Sequence, residues 1–120
     1  HFDISIPIAE IGQIMNDILS ELHHIEGVLG AYPFGHVADG NMHLIVGKEN
    51  NSKQLTKQIS DIVYQPLAAV KGSISAEHGI GIDKKPYLQL TRSQDEIKLM
   101  KGLKQLFDPK NILNPGRIVN

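Results

Sequence analysis

The stretch Gly35 to His43 reads GHVADGNMH and sets a histidine at either end of a polar turn. Neutral imidazole is a frequent ligand for divalent cations and titrates near neutral pH. On one helix, a seven-residue spacing would part His36 and His43 by about 10 Å along the axis. A metal with bonds of about 2 Å cannot bridge that distance. Across a hairpin the same spacing works, with Asp39-Gly40-Asn41 as the turn. Further on, Ser75-Ala76-Glu77-His78-Gly79-Ile80-Gly81 places a carboxylate beside an imidazole, just before a glycine-rich turn. His36, His43 and Glu77 make a two-histidine, one-carboxylate set that leaves positions open for water or substrate. Nitrogen and oxygen donors without sulfur suit Zn²⁺, Mn²⁺ or Fe²⁺. Each residue also has an ordinary reading. A histidine is more often a surface or hydrogen-bonded residue than a ligand, Glu77 can be ion-paired, and His78 can cap a turn. The residues alone leave both readings open.

Other chemistry-bearing residues point less clearly. His23-His24 falls near the end of a helical stretch, where a cationic ring complements the helix dipole. Gly79-Ile80-Gly81 followed by Lys84 and Lys85 offers glycine and positive charge for a phosphate, but without the spacing of a Walker A loop or a dinucleotide fingerprint. Arg117 near the C-terminus could pair with an anion, although an exposed arginine is the commoner case.

The elements that must position these groups follow from periodicity. Phe2 to Ile6 alternates apolar and polar residues and predicts a half-buried strand. Pro7 stops it and can open a helix. Ile11, Ile14, Met15, Ile18 and Leu22 then form one helical stripe. Val28–Phe34 and Met42–Val46 read as strands joined at Asp39-Gly40. Asn50-Asn51-Ser52 offers a cap to a second helix carrying Leu55, Ile59, Ile62 and Val63, which Pro66 kinks or restarts. Gly72 to Ser75 reads as a short fourth strand. Ser93-Gln94-Asp95-Glu96 is a capping box before Ile97, Met100, Leu103 and Leu106. The last residues, DPKNILNPGRIVN, suggest an extended, turn-rich arm. This β-α-β-β-α-β-α order predicts an α+β fold: a ferredoxin-like antiparallel sheet with helices packed on one face, plus an extra C-terminal helix and extended tail.

Composition bounds the function. The 120 residues suit one compact domain. Twelve Lys and Arg against thirteen Asp and Glu, with no Trp, argue against a nucleic-acid partner. Cysteine is absent, which excludes disulfides, thiolate metal sites and a cysteine nucleophile. No apolar run approaches the ~20 residues needed to span a membrane. The chain opens directly on a strand pattern without a leader-like segment, as expected of a domain cut from a longer protein.

Taken in order, DISIP, GHVADGNMH, SAEHGIG and FDPKNILNPGRI resemble the C-terminal domain of FAD-linked oxidases. That group contains D-lactate dehydrogenase, the glycolate oxidase flavin subunit and D-2-hydroxyglutarate dehydrogenase. The resemblance covers essentially residues 1–120. It implies an FAD-dependent enzyme that oxidises a small D-2-hydroxy acid to the 2-oxo acid by hydride transfer to flavin. Most FAD contacts would come from a preceding FAD-binding domain, and this domain would be the substrate-binding cap, inactive by itself. His36, His43 and Glu77 match the family's metal ligands, with Zn or Mn as the cation. His78 matches the catalytic base, and Asn114, in the arm that returns to the flavin domain, matches a cofactor-binding residue. Three positions depart from the pattern: Ala38 stands where many members have Gly, Ile45 where 2-hydroxyglutarate-type members often have Asn, and His1 where they often have Lys. The first is tolerable if its φ is negative. The other two leave the substrate open, and Ile45 makes the pocket more apolar. The same resemblance implies a cytoplasmic location, free or peripheral to a membrane, and an exposed sheet edge offers a route to a homodimer. The rival reading of the residues is a stand-alone ferredoxin-like module that binds a metal or small ligand without catalysis.

Overall fold

The computed structural model describes residues 1–119. Three strands form an antiparallel sheet in the order β1-β3-β2, with β1 at Phe2–Ser5, β2 at Val28–His36 and β3 at Asn41–Lys48. Two helices, α1 at Ile11–His23 and α2 at Lys53–Tyr64, complete the core. The predicted stripe of α1 is buried at all five positions, as are Leu55, Ile59 and Val63 of α2. They pack with Ile4, Ile6, Met42 and Leu44. Strand alternation therefore divides the sheet. Its even-numbered β1 and β3 residues face the helices, and the odd-numbered ones, Asp3 and His43 among them, face the other way.

The caps form as read. Ser52 accepts a hydrogen bond from the Leu55 N–H. Ser93 and Glu96 close both halves of a capping box at the start of α4, Gln94–Phe107. Pro66 ends α2 and sits in a 3₁₀ turn, Gln65–Ala68. A short helix α3, Leu88–Thr91, was not anticipated; it follows the 3₁₀ turn Lys85–Tyr87 opened by Pro86.

Gly72 to Ser75 differs from expectation. Only Ser73 pairs with β1, exchanging both backbone hydrogen bonds with Ser5 at 2.9 and 2.8 Å. The Ser73 hydroxyl then donates to the Ser75 carbonyl, and the chain turns away from the ladder. The fourth strand is reduced to one bridge, and the freed segment closes over Asp3. The stripe of α4 is also only half used. Ile97 and Met100 pack against the core, whereas Leu103 and Leu106 are exposed.

The β2–β3 hairpin is longer than a two-residue turn, with residues 37–40 between the paired His36 and Asn41. Val37–Asp39 makes a 3₁₀ turn, and Gly40 follows at φ +70°. Its carbonyl accepts from the Ile6 N–H at 2.9 Å. A Cβ on Gly40 would stand 2.4 Å from the Ile6 carbonyl oxygen, a backbone atom that cannot step aside. Left-handed backbone costs an L-residue roughly 1–2 kcal/mol on top of that contact. Gly40→Ala should therefore destabilise the fold by about 2 kcal/mol or more. Gly102→Ala, at an open position in α4, should raise stability by up to about 1 kcal/mol. Urea unfolding midpoints of the two variants test the pair, and equal midpoints would contradict the turn geometry.

Candidate functional site

The open sheet face carries the site. Asp3 of β1 and Phe34 of β2 lie directly opposite His43, so one row runs across all three strands. Phe34 stacks on the His43 ring with centroids 5.2 Å apart and planes 20° from parallel. His43 is 7% exposed. Its Nδ1 lies 3.2 Å from Nε2 of His1, and its Nε2 lies 3.2 Å from Oε1 of Glu77. Both nitrogens thus have a partner, which locks the ring plane.

Glu77 and His78 reach this face from the segment that leaves the Ser5–Ser73 bridge. Asp3 draws them in. Its carboxylate is buried, and one oxygen, Oδ2, accepts from three consecutive backbone N–H groups: Ala76 at 3.1 Å, Glu77 at 2.8 Å and His78 at 2.8 Å. The Ser75 hydroxyl donates to the same carboxylate, and the Lys84 ammonium pairs with Oδ1. Glu77 and His78 remain half-exposed above the sheet. Ligand-capable atoms of His43, Glu77 and His78 all lie within 4.8 Å of one another. Nε2 of His78 is 3.8 Å from Oε1 of Glu77.

His36 lies outside this cluster. It pairs with Asn41 in the register, two residues along from the Phe34–His43 pair and on the same face. The hairpin therefore brings the two histidines onto one surface without setting them side by side. Asn41 carries a buried Oδ1 that has no hydrogen-bond partner. Asn114 sits in the tail turn at φ +47°, and its carbonyl accepts from the Arg117 N–H. The Ile118 N–H donates to the Gly81 carbonyl, which returns the tail to the glycine turn below His78. Lys84 and Lys85 form no phosphate cradle: Lys84 is committed to Asp3 and Ser75, and Lys85 donates to the Gly116 carbonyl. His24 bonds the Ser20 carbonyl at the end of α1. Ala38 does not take a positive φ, so its departure from Gly is unstrained.

Sequence reasoning passed over Asp3, Lys84 as its partner, and Phe34. Asp3 did carry a signal, since an acid placed where a half-buried strand alternates asks for a partner. Nothing in the spacing says that the partner lies more than seventy residues away.

Comparison with known proteins decides the family. Residues 1–118 match the family described as FAD linked oxidases, C-terminal domain. The chain belongs to this family. It is 37% identical to the mitochondrial D-2-hydroxyglutarate dehydrogenase of Arabidopsis thaliana, over 98% of this chain and 21% of that protein. It is 39% identical to the D-2-hydroxyglutarate dehydrogenase of Xanthomonas citri pv. viticola, over 97% of this chain and 26% of the relative. A putative mitochondrial D-lactate dehydrogenase of Schizosaccharomyces pombe is 36% identical, over 98% of this chain and 24% of its own length. This FAD-linked oxidase domain thus spans about a fifth to a quarter of the curated relatives it matches. Among the described residues, no helix is long and apolar enough to cross a membrane.

Burial raises the Asp3 pKa, but hydrogen bonds from Lys84 and from the Glu77 and His78 backbone, with the Lys84 charge, outweigh it and hold the group at about 2. The folded value lies below that of a free carboxyl, so the ionised group stabilises the fold above about pH 4. That contribution, about 2 kcal/mol, is lost as the pH falls towards 2. Urea unfolding between pH 5 and 2 should show this loss, and Asp3→Asn should flatten it.

Proposed function

We propose that this domain is the substrate- and metal-binding cap of an FAD-dependent dehydrogenase that oxidises a D-2-hydroxy acid of the lactate, glycolate or 2-hydroxyglutarate class to the 2-oxo acid. The convergence of His43, Glu77 and His78 on the open sheet face of a chain in this family carries the reading. Of these, the His43 imidazole and the Glu77 carboxylate, 3.2 Å apart, are nitrogen and oxygen donors of the kind that zinc and manganese accept, and His78 stands beside them as the base. In the assembled site His43 and Glu77 would hold the cation, and His36 would join them from its neighbouring position on the same face. Bound FAD supplies the two-electron acceptor, and the divalent cation, Zn or Mn, supplies Lewis acidity at the substrate hydroxyl.

The chain's own residues do the rest. His78 takes the hydroxyl proton at Nε2 as the C2 hydrogen departs with its electron pair and the C2–O bond becomes a carbonyl. Ile45, opposite Tyr32 and exposed on the same face as His43, gives the substrate an apolar wall. Phe34 excludes water from one side of His43.

Two exposed apolar surfaces support a cap that completes its burial elsewhere. One is the sheet face, with Tyr32, Phe34 and Ile45; the other is α4 and the tail, with Leu99, Leu103, Leu106, Phe107, Ile112 and Leu113. The first is the side offered to the flavin ring, and the second, with Asn114, is the side that returns to the FAD-binding domain of the same protein.

The test uses the full-length flavoprotein. His36→Ala and His43→Ala should each lose bound metal, measured by elemental analysis. His78→Ala should keep its metal but reduce flavin about 100-fold or more slowly when mixed anaerobically with a D-2-hydroxy acid. Full metal occupancy and turnover in both His36→Ala and His43→Ala would overturn the metal assignment. A native protein without flavin would favour a stand-alone binding module instead.

A further inference from the structure

Helix α4 ends on an acid in an unfavourable place. The C-terminal end of a helix carries partial negative charge, which disfavours a carboxylate. Asp108 nonetheless caps α4, and it is buried. The turn that follows accounts for it. The Asn111 N–H donates to the Asp108 carbonyl at 2.9 Å, with Pro109 at the first central position of the turn. That reversal brings the next two amides back to the carboxylate. Oδ1 accepts from the Ile112 N–H at 3.0 Å, and Oδ2 accepts from the Leu113 N–H at 2.9 Å. Lys104, in the last turn of α4, pairs with Oδ2 and also donates to the Leu113 carbonyl. We propose that Asp108, held by Lys104, is the positioning residue for the arm: it fixes Ile112, Leu113 and Asn114 in the shape that docks on the FAD-binding domain. The proposal rests on the reading of this surface as the side that returns to that domain.

The physical argument is one of preorganisation. With both amides held by the carboxylate, the side chains of Ile112 and Leu113 stay exposed. The far end of the arm is fixed as well. The Ile118 N–H donates to the Gly81 carbonyl at 2.9 Å, and Val119 is buried in the core. Between these anchors Asn111, Asn114 and Ile118 all take positive φ, an uncommon backbone for residues other than glycine. Such a backbone persists only where its surroundings dictate it. A segment ordered in advance loses less entropy on docking. No residue of α4 is fully buried, so the helix that carries this arm is itself short of a partner. The family is FAD-linked, and the chain covers 21% and 26% of two relatives, so most of a protein of that length lies outside this domain and supplies the partner. Gly81 follows His78 in the glycine turn, so the arm also ties the docking surface to the segment that carries the base.

The test titrates the flavin-free, full-length protein with FAD, because the flavin lies between the two domains in this reading. Asp108→Ala should weaken FAD binding about tenfold or more. Leu113→Ser and Ile112→Ser, at exposed side chains, should weaken it in the same direction. Ser93→Ala removes the cap at the other end of α4 and controls for helix stability alone. It should leave FAD affinity within about twofold. In the wild-type protein the Ile112 and Leu113 amides should exchange slowly with solvent. Wild-type affinity in Asp108→Ala beside a weakened Leu113→Ser would overturn the positioning role and leave the docking surface intact. Wild-type affinity in both Leu113→Ser and Ile112→Ser would remove the docking surface and the proposal together. Equal weakening by Ser93→Ala and Asp108→Ala would reduce Asp108 to a helix cap and overturn the proposal. Fast exchange of the Ile112 and Leu113 amides in the wild-type protein would overturn it even if Asp108→Ala fails to fold.

Discussion

Everything at the site depends on one buried carboxylate being satisfied. An isolated ionised carboxyl removed from water costs several kcal/mol even after local relaxation. Asp3 offsets that cost with three backbone N–H groups, the Ser75 hydroxyl and the Lys84 ammonium. All five donors belong to the segment between Ala76 and its flanks, Ser75 to Lys84. Satisfying the charge and placing Glu77 and His78 over the sheet are therefore a single event. This also explains why the predicted fourth strand stops at one bridge. A continued ladder would keep the N–H groups of residues 76–78 in the sheet, where Asp3 could not collect them.

The parts of the fold built on periodicity were legible from residue order alone. The α1 stripe, the caps of α2 and α4 and the two hairpin strands all depend on neighbours within a few positions, and the structure places each where the pattern does. The half-exposed stripe of α4 was not legible, because amphipathicity marks a face that wants a partner without saying whether this chain supplies one. The site was legible in residue type and not in geometry. His43, Glu77 and His78 do come together, but the 3₁₀ turn at Val37–Asp39 displaces His36 to the level of Asn41. A simple two-residue hairpin reading has no term for that offset. Asp3 escaped notice for a different reason: its role is defined by backbone groups, and every residue type has a backbone N–H.

The two sides of the sheet divide the labour between stability and chemistry. The helix-facing side is dry, close-packed and closed by Ile4, Leu44 and their neighbours. The other side holds an imidazole between an aromatic ring and a buried acid, with Tyr32 and Ile45 left uncovered nearby. Such an arrangement keeps His43 on a rigid strand and leaves Glu77 and His78 half-exposed above it.

The separation of Asp3 from its donors along the chain also bears on how the site comes into being. The carboxylate and the amides it holds are 73 to 75 residues apart. Closing a loop of that length carries an entropic penalty that local helices never meet. The α1 and α2 turns can form from nearby residues, and the hairpin needs only one short connection. The Asp3 cluster must wait until both ends of the span are in place, so it belongs to the late, topology-limited stage of folding. Before that stage the chain holds an ionised carboxylate and an ammonium fully in water. The order of assembly therefore leaves the convergence of His43, Glu77 and His78 to the end: the cluster exists only in a chain that has already folded.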